Sequence, residues 1–208
     1  MYKLILFLLL LFPLQQTNWE LKTEKDGIRL YTANATADSK VKPIKVECTL
    51  NATSAQLLAV LMDIKNYPDW AYHTKNARIV RQAGPADLYY YSEVNVPWPG
   101  KNRDFVSHVT VTQNPETKVI TMEAPNVTGM VPEKDGVYRT TESKGKWIIT
   151  PEGRDKVSVI YYLQVDAGGA APAWMVNLFI TDGPMETFKK LRGQVQKYEY
   201  KNAVLPFK

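Results

Sequence analysis

From Ala77 to Leu163 the chain alternates apolar and polar residues with a period of two, and turn residues cut that pattern at short intervals. The spacing predicts strands over Arg78–Gln82, Leu88–Val96, Phe105–Gln113, Lys118–Ala124, Tyr138–Thr150 and Lys156–Val165. Between them stand Gly84-Pro85, Pro97-Trp98-Pro99-Gly100, Asn114-Pro115, Pro132 to Gly136 and Pro151-Glu152-Gly153. Connections this short join antiparallel neighbours, so the stretch folds as consecutive hairpins and not as βαβ units.

The flanks complete the order. Asp26-Gly27 is a turn, and strands are predicted at Ile28–Ala33 and Lys42–Leu50. Thr53-Ser54 caps a helix over 54–63, whose Leu57, Leu58, Leu61 and Met62 recur at helical spacing. Asn66 to Trp70 holds Pro68 and reads as a loop or short helix. After Gly168-Gly169 the period changes again. Pro172 suits a first helical turn. The stripe Trp174, Leu178, Met185, Phe188 and Val195 marks a long amphipathic helix, with a kink expected at Gly183-Pro184. The fold class is therefore α+β: a curved antiparallel sheet wrapped around a long C-terminal helix, with a short helical insert after the first strands.

The chain has 208 residues, which fits one domain and a targeting segment. Lys3 followed by the apolar run Leu4 to Phe12 has the pattern of a secretory signal over 1–16, leaving a domain over 17–208. The run is far shorter than the roughly 20 residues a spanning helix needs. Export to the periplasm or the extracellular medium is expected. Cys48 is the sole cysteine, so no internal disulfide forms, and its alternating context makes it a small buried hydrophobe. The net charge of +5 includes no dense Lys/Arg block, which disfavours nucleic acid and is compatible with transient contact with a membrane surface.

His73 and His108 are the only histidines, and neither has Cys or carboxylates at metal-ligand spacing, so no metal or other cofactor is expected. Ser107 adjoins His108, but neighbours on a strand face opposite ways. No G-x-S-x-G elbow exists.

Several short motifs, in order, resemble the START lipid-transfer family of the helix-grip superfamily. Pro97-Trp98-Pro99 followed by Arg103-Asp104-Phe105-Val106 is similar to the family's P-W-P…R-D-F-V segment. Asp63 with Tyr67 and Trp70 is similar to its D-x3-Y-x2-W helix-loop, and Asp166 through Trp174 to its D-x-G-G-x-x-P-x-W segment before the final helix. The resemblance spans about Trp19 to Val195. It implies a helix-grip fold enclosing an apolar tunnel, a monomer that binds a lipid or other apolar small molecule, and no catalysis. Helix-grip relatives also include polyketide cyclases and aromatases, and a ligand-responsive adaptor is a third reading.

Some START members carry a cavity-facing Arg six residues after the Arg of R-D-F-V, paired with an acidic group on the neighbouring strand. Here those positions are Val109 and Tyr90, so that ion pair is absent. With Val109 taken as inward-facing, alternation adds Phe105, Ser107 and Val111 on its strand, and Ser92 and Val94 beside Tyr90 on the next. Trp174, Leu178, Met185 and Phe188 are expected to close the cavity from the helix. Tyr90, Ser92, Ser107 and Tyr161 are its polar candidates. Arg103 and Asp104 must face opposite sides, which favours a salt bridge or turn contact over a shared headgroup site.

If Leu4 to Phe12 is a signal core, the exported protein begins near Thr17. N-terminal sequencing of the mature protein checks this, and an intact Met1 on protein from the cytoplasm would sink it.

Overall fold

A computed structural model describes residues 18–33, 43–165, 174 and 177–207. The expected signal segment, and Asp166 to Ala173 of the motif before the final helix, lie outside the described residues. The strands are β1 (Glu20–Lys25), β2 (Ile28–Thr32), β3 (Ile44–Leu50), β4 (Thr74–Gly84), β5 (Asp87–Val94), β6 (Arg103–Gln113), β7 (Ile120–Pro125), β8 (Tyr138–Arg139), β9 (Ser143–Pro151) and β10 (Val157–Val165). The helices are α1 (Ser54–Met62), α2 (Tyr67–Trp70) and α3 (Gly183–Gln194).

Among the described residues the strands form one sheet in the order β1-β2-β3-β10-β9-β7-β6-β5-β4. Every pairing along this path is antiparallel. β10 pairs with β3 as well as β9, which joins the N-terminal strands to the later hairpins. The outer strand β4 carries Lys75, Arg78 and Arg81 and is interrupted by three register shifts, features that blunt a sheet edge against pairing with other chains.

β1 was not anticipated. Five of its six residues are exposed, so no buried face writes an alternation into the sequence. It forms because Asp26 and Gly27 both take positive φ, 52° and 69°, the backbone of a two-residue hairpin turn that lays β1 on β2.

The predicted strand Tyr138–Thr150 is in fact two. Tyr138–Arg139 pairs in parallel with Arg103–Asp104 of β6, and β9 starts at Ser143. The cause is Arg139. Its Nε donates to Asp104 Oδ1 at 2.8 Å and its Nη2 to Asp104 Oδ2 at 3.1 Å. The carbonyls of Val131 and Pro132 accept from the same guanidinium. Tyr91 donates to Asp104 at 3.1 Å on this outer face of the sheet. Glu93 lies beside it, receiving Lys75 at 2.8 Å, Lys134 at 3.0 Å and Asn102 at 3.1 Å. Burial opposes ionisation of Glu93, but the hydrogen bonds from Lys75, Lys134 and Asn102 outweigh it and hold its carboxyl down at about 2.

Helix α1 begins at a capping box: Thr53 Oγ1 accepts from the Gln56 amide, and Gln56 Oε1 accepts from the Thr53 amide. Its Leu57, Leu58, Val60 and Leu61 are buried with Ile28, Leu30, Val46 and Val159 of the sheet and Leu191 and Val195 of the C-terminal segment. Cys48 is buried here too, and burial pushes its thiol up to about 12. The expected interruption at Gly183-Pro184 is a π-helical turn over Leu178–Asp182, after which Pro184 sits in the first turn of α3. A proline lacks the N–H of a regular helical bond and clashes with the carbonyl four residues back, and the wider turn absorbs both effects.

Two outcomes follow for stability. The folded-state value of Glu93 lies below its ordinary 4.5, so its stabilisation is complete above about pH 4.5 and is lost as pH falls toward 2. Thermal melts across that window should show a falling Tm that is flattened in Glu93→Gln. Asp104→Ala leaves buried Arg139 without its carboxylate and should cost about 3–5 kcal/mol in urea unfolding.

A third outcome tests the β6 register. Val109 is fully buried on the inner face, so Val109→Arg buries an unpaired cation that cannot deprotonate and should unfold the protein. Thr110 lies on the outer face opposite Asp87 and Glu123, so Thr110→Arg gains acidic cross-strand neighbours and should stay within about 0.5 kcal/mol of the parent. A damaging Thr110→Arg beside a tolerated Val109→Arg would place the register off by one.

Candidate functional site

The concave face of the sheet is packed at one end and hollow at the other. The hollow is a cavity of about 240 Å³. Tyr90, Ser92 and Val94 of β5 and Arg103, Phe105 and Ser107 of β6 form one wall. Met122 and Ala124 of β7, Gly145 and Trp147 of β9, and Tyr161 and Leu163 of β10 form the floor and the far wall. Tyr67 and Trp70 of α2, Phe179 of the π-helical turn, and Gly183, Pro184, Thr187 and Phe188 of α3 close it from above.

Aromatic rings define its inner surface. Trp147 and Tyr161, directly opposite each other on paired strands, have centroids 4.3 Å apart. Phe188 reaches down from α3 to 5.3 Å from Trp147. Across the hollow, Tyr67 meets Tyr90 edge-on at 5.5 Å, and Tyr90 meets Phe105 at 5.8 Å. Such tilted contacts suit the charge distribution of aromatic rings and make the wall stiff.

The polar groups on the wall are mostly neutral. Burial pushes the Tyr90 phenol up to about 12 and that of Tyr161 higher still, so both stay protonated. Tyr67 donates to the Leu61 carbonyl at 2.6 Å. Ser107 donates to Asn126 Oδ1 at 2.8 Å, and Asn126 in turn donates to the Thr140 carbonyl, which ties the segment after β7 to the cavity rim. Among the described residues no carboxylate or imidazole lines the cavity, and Arg103 is its single charged side chain. The Trp70 indole N–H is buried without a hydrogen-bond partner.

The roof depends on one close approach. A Cβ at Gly183 would stand 2.8 Å from the Leu178 carbonyl oxygen and 3.0 Å from the Tyr72 ring, so only glycine lets α3 sit this low. The Tyr72 amide donates to Thr187 Oγ1 at 3.0 Å and fastens the segment after α2 to α3.

Of the side chains expected to line a cavity, Tyr90, Ser92, Val94, Phe105, Ser107 and Phe188 stand on its wall. Val109 and Val111 share the inward face but lie beyond the end of the hollow, packed in the core. Trp174 is 39% exposed, and Leu178 and Met185 are half-buried and off the wall. The π-helical turn explains this correction. It breaks the uniform helical stripe, and Phe179, Gly183 and Thr187 point at the cavity instead.

Tyr67, Trp70, Trp147 and Tyr161 complete the wall, and their signal was the same alternation on β9 and β10 together with the aromatic pair on α2. Arg103 and Asp104 do face opposite sides, with Arg103 on the rim and Asp104 in its outer salt bridge. His108 is on the outer face, stacked on Tyr89 at 4.1 Å and 2.8 Å from Asp87. His73 stacks on Tyr72 and is likewise off the wall. Among the described residues no group of His, Cys, Asp and Glu is arranged to hold a metal ion.

Comparison with known proteins agrees with this architecture. The chain is 31% identical to an uncharacterized protein of Pseudomonas aeruginosa, over 86% of this chain and 88% of that one. It is 27% identical to the phosphatidylcholine transfer protein of Mus musculus, over 88% of this chain and 86% of that one. The crystal structure of a STAR-related lipid transfer protein from Xanthomonas axonopodis superposes with a TM-score of 0.78 at 28% identity, covering 86% of this chain and 99% of the other. The sequence model of the START domain matches residues 6–201, so the chain with this aromatic cavity beneath its last helix belongs to the START domain family.

Proposed function

We propose that this START domain binds one hydrophobic ligand, a lipid, in the cavity beneath α3, performs no covalent chemistry on it, and exchanges it at a membrane surface. The carrying observation is the wall itself: aromatic and aliphatic side chains with a few neutral hydroxyls. Burying a lipid chain there recovers about 25 cal/mol per Å² of apolar surface removed from water. The mouse and Xanthomonas relatives are both named as lipid transfer proteins, which supports the same ligand class.

An acid–base enzyme on this fold needs a proton donor and acceptor converging on the substrate. The histidines lie off the cavity wall, and the Tyr90 and Tyr161 phenols are held far from the range in which they exchange protons at neutral pH. These features favour carriage over catalysis.

Trp98 supports the membrane step. Its side chain is 92% exposed at the tip of the loop between β5 and β6, next to Lys101 and on the side where Arg103 borders the cavity. An exposed indole partitions to the membrane–water interface, and a neighbouring lysine favours an anionic one. The apolar run Leu4 to Phe12 supports a site of action outside the cytoplasm.

Native mass spectrometry of the purified chain should find one lipid per protein, recovered with unchanged mass after incubation. A ligand consistently converted to a product would favour the enzyme reading. Trp98→Ser should keep its Tm and its bound lipid but slow transfer between vesicles several-fold. Transfer at the parent rate would remove this loop from the membrane step.

A further inference from the structure

Gly145 stands where nothing in the backbone asks for a glycine. It lies inside β9, paired with Ala124 of β7 on one side and Leu163 of β10 on the other. It is not among the glycines with positive φ. A Cβ there would meet Ala124 Cβ and Tyr161 Oη at 3.7 Å and the Ala124 carbonyl oxygen at 3.8 Å, all ordinary contacts. Glycine inside a strand gives up backbone order and side-chain packing, and it often marks a place where something else approaches closely. Ser143, Gly145 and Trp147 share one face of β9, and all three line the cavity. The space that a side chain at 145 would fill is therefore cavity space. Ala124, beside it, adds only a methyl group, so the floor here is bare.

Tyr161 overlooks that floor. Its ring packs on Trp147 at 4.3 Å and faces Phe188 at 5.9 Å, while its hydroxyl reaches the next row, beside Gly145. Tyr67 and Tyr90, the other buried phenols on the wall, are committed: Tyr67 donates to the Leu61 carbonyl, and Tyr90 is hydrogen-bonded to Ser107. Among the described residues no hydrogen bond engages the Tyr161 hydroxyl. Tyr161 is partly accessible, yet burial drives its phenol up, so the space it opens on is the interior of the protein and not bulk water. The phenol is protonated there and offers a donor to any oxygen that reaches the floor. The burial that disfavours a phenolate equally disfavours an anion seated against it, which leaves a neutral oxygen as the matching group.

We propose that the ligand carries a neutral acceptor oxygen, a carbonyl or a hydroxyl, that lies on the floor made by Gly145 and Ala124 and accepts a hydrogen bond from Tyr161. This rests on reading the cavity as the lipid site. Tyr161 is then a specificity-determining residue, favouring an oxygenated apolar molecule over a bare hydrocarbon, and Gly145 provides the room for its oxygen.

The test uses the full protein, stripped of co-purified lipid, and three probes of one skeleton: pentylbenzene, valerophenone and the alcohol formed by reducing that ketone. They differ only in carrying a methylene, a carbonyl or a hydroxyl-bearing carbon beside the ring. In calorimetric titrations, Tyr161→Phe should weaken the ketone, the alcohol or both by about three- to tenfold and leave pentylbenzene within about twofold of the parent. The probe with the larger loss identifies the oxygen as carbonyl or hydroxyl. Gly145→Ala should keep or raise Tm, because its methyl fits the protein, and should weaken the same oxygenated probe. Equal losses for all three probes in Tyr161→Phe would make Tyr161 a packing residue and overturn the assignment, as would no loss for either oxygenated probe. A lowered Tm in Gly145→Ala, or unchanged binding of the oxygenated probes, would overturn the role given to the floor. Failure of every probe to bind the parent protein would overturn the lipid-cavity reading itself, and this inference with it.

Discussion

The Asp104–Arg139 fork is the contact on which the architecture around the cavity turns. Both side chains are almost wholly buried, and both oxygens of the carboxylate are engaged. Desolvating two charges cancels much of their attraction, so such a pair does more for the choice of structure than for net stability. Here the choice is visible. The fork draws Tyr138–Arg139 out of the following strand and into parallel pairing with the start of β6. It also folds residues 131 and 132 over the outer face, where their carbonyls accept from the same guanidinium. Because strand neighbours alternate, fixing Asp104 outward fixes Arg103 inward. The same pairing brings Tyr138 beside Arg103 and Thr140 to the rim. A charge network on the convex side thus sets the polar edge of the concave side.

The concave face carries two kinds of packing along the same strands. At one end Val109, Val111, Ile120 and Ile149 are buried in the core that includes α1. At the other end the roof is α3, held up by its own shape. The π-helical turn rotates the final helix, and Gly183 lets it approach Tyr72. Side chains that a uniform helix would point at the sheet are displaced, and Phe179 and Thr187 take their place. The hollow is what a rigid sheet and a phase-shifted helix leave between them.

These facts explain which features could be read from the residues. The hairpins were legible because Gly, Pro and Asn stand at every turn and because one buried face imposes a period of two. Tyr90, Ser92, Val94, Phe105 and Ser107 followed from that period once one residue was given a direction. Arg103 shares their parity, so its inward direction was present in the same pattern. The fork was not legible, since its partners are 35 positions apart and nothing local marks them. β1 has no buried face to betray it. Trp174, Leu178 and Met185 were misplaced because a period of 3.6 assumes a regular helix, and Pro184 forces an irregular one.

The wall of the cavity keeps its shape through contacts made outside it. The elements that carry its rings are fixed elsewhere: β6 by the fork, α2 by Tyr67 and its bond to Leu61, and α3 by Thr187 and the Tyr72 amide. A ligand held between those rings adds dispersion contacts to the native state alone, so binding and folding are linked and the liganded protein is the more stable one. Rigidity outside the cavity is therefore the condition for a site whose wall does not have to be rebuilt around its ligand.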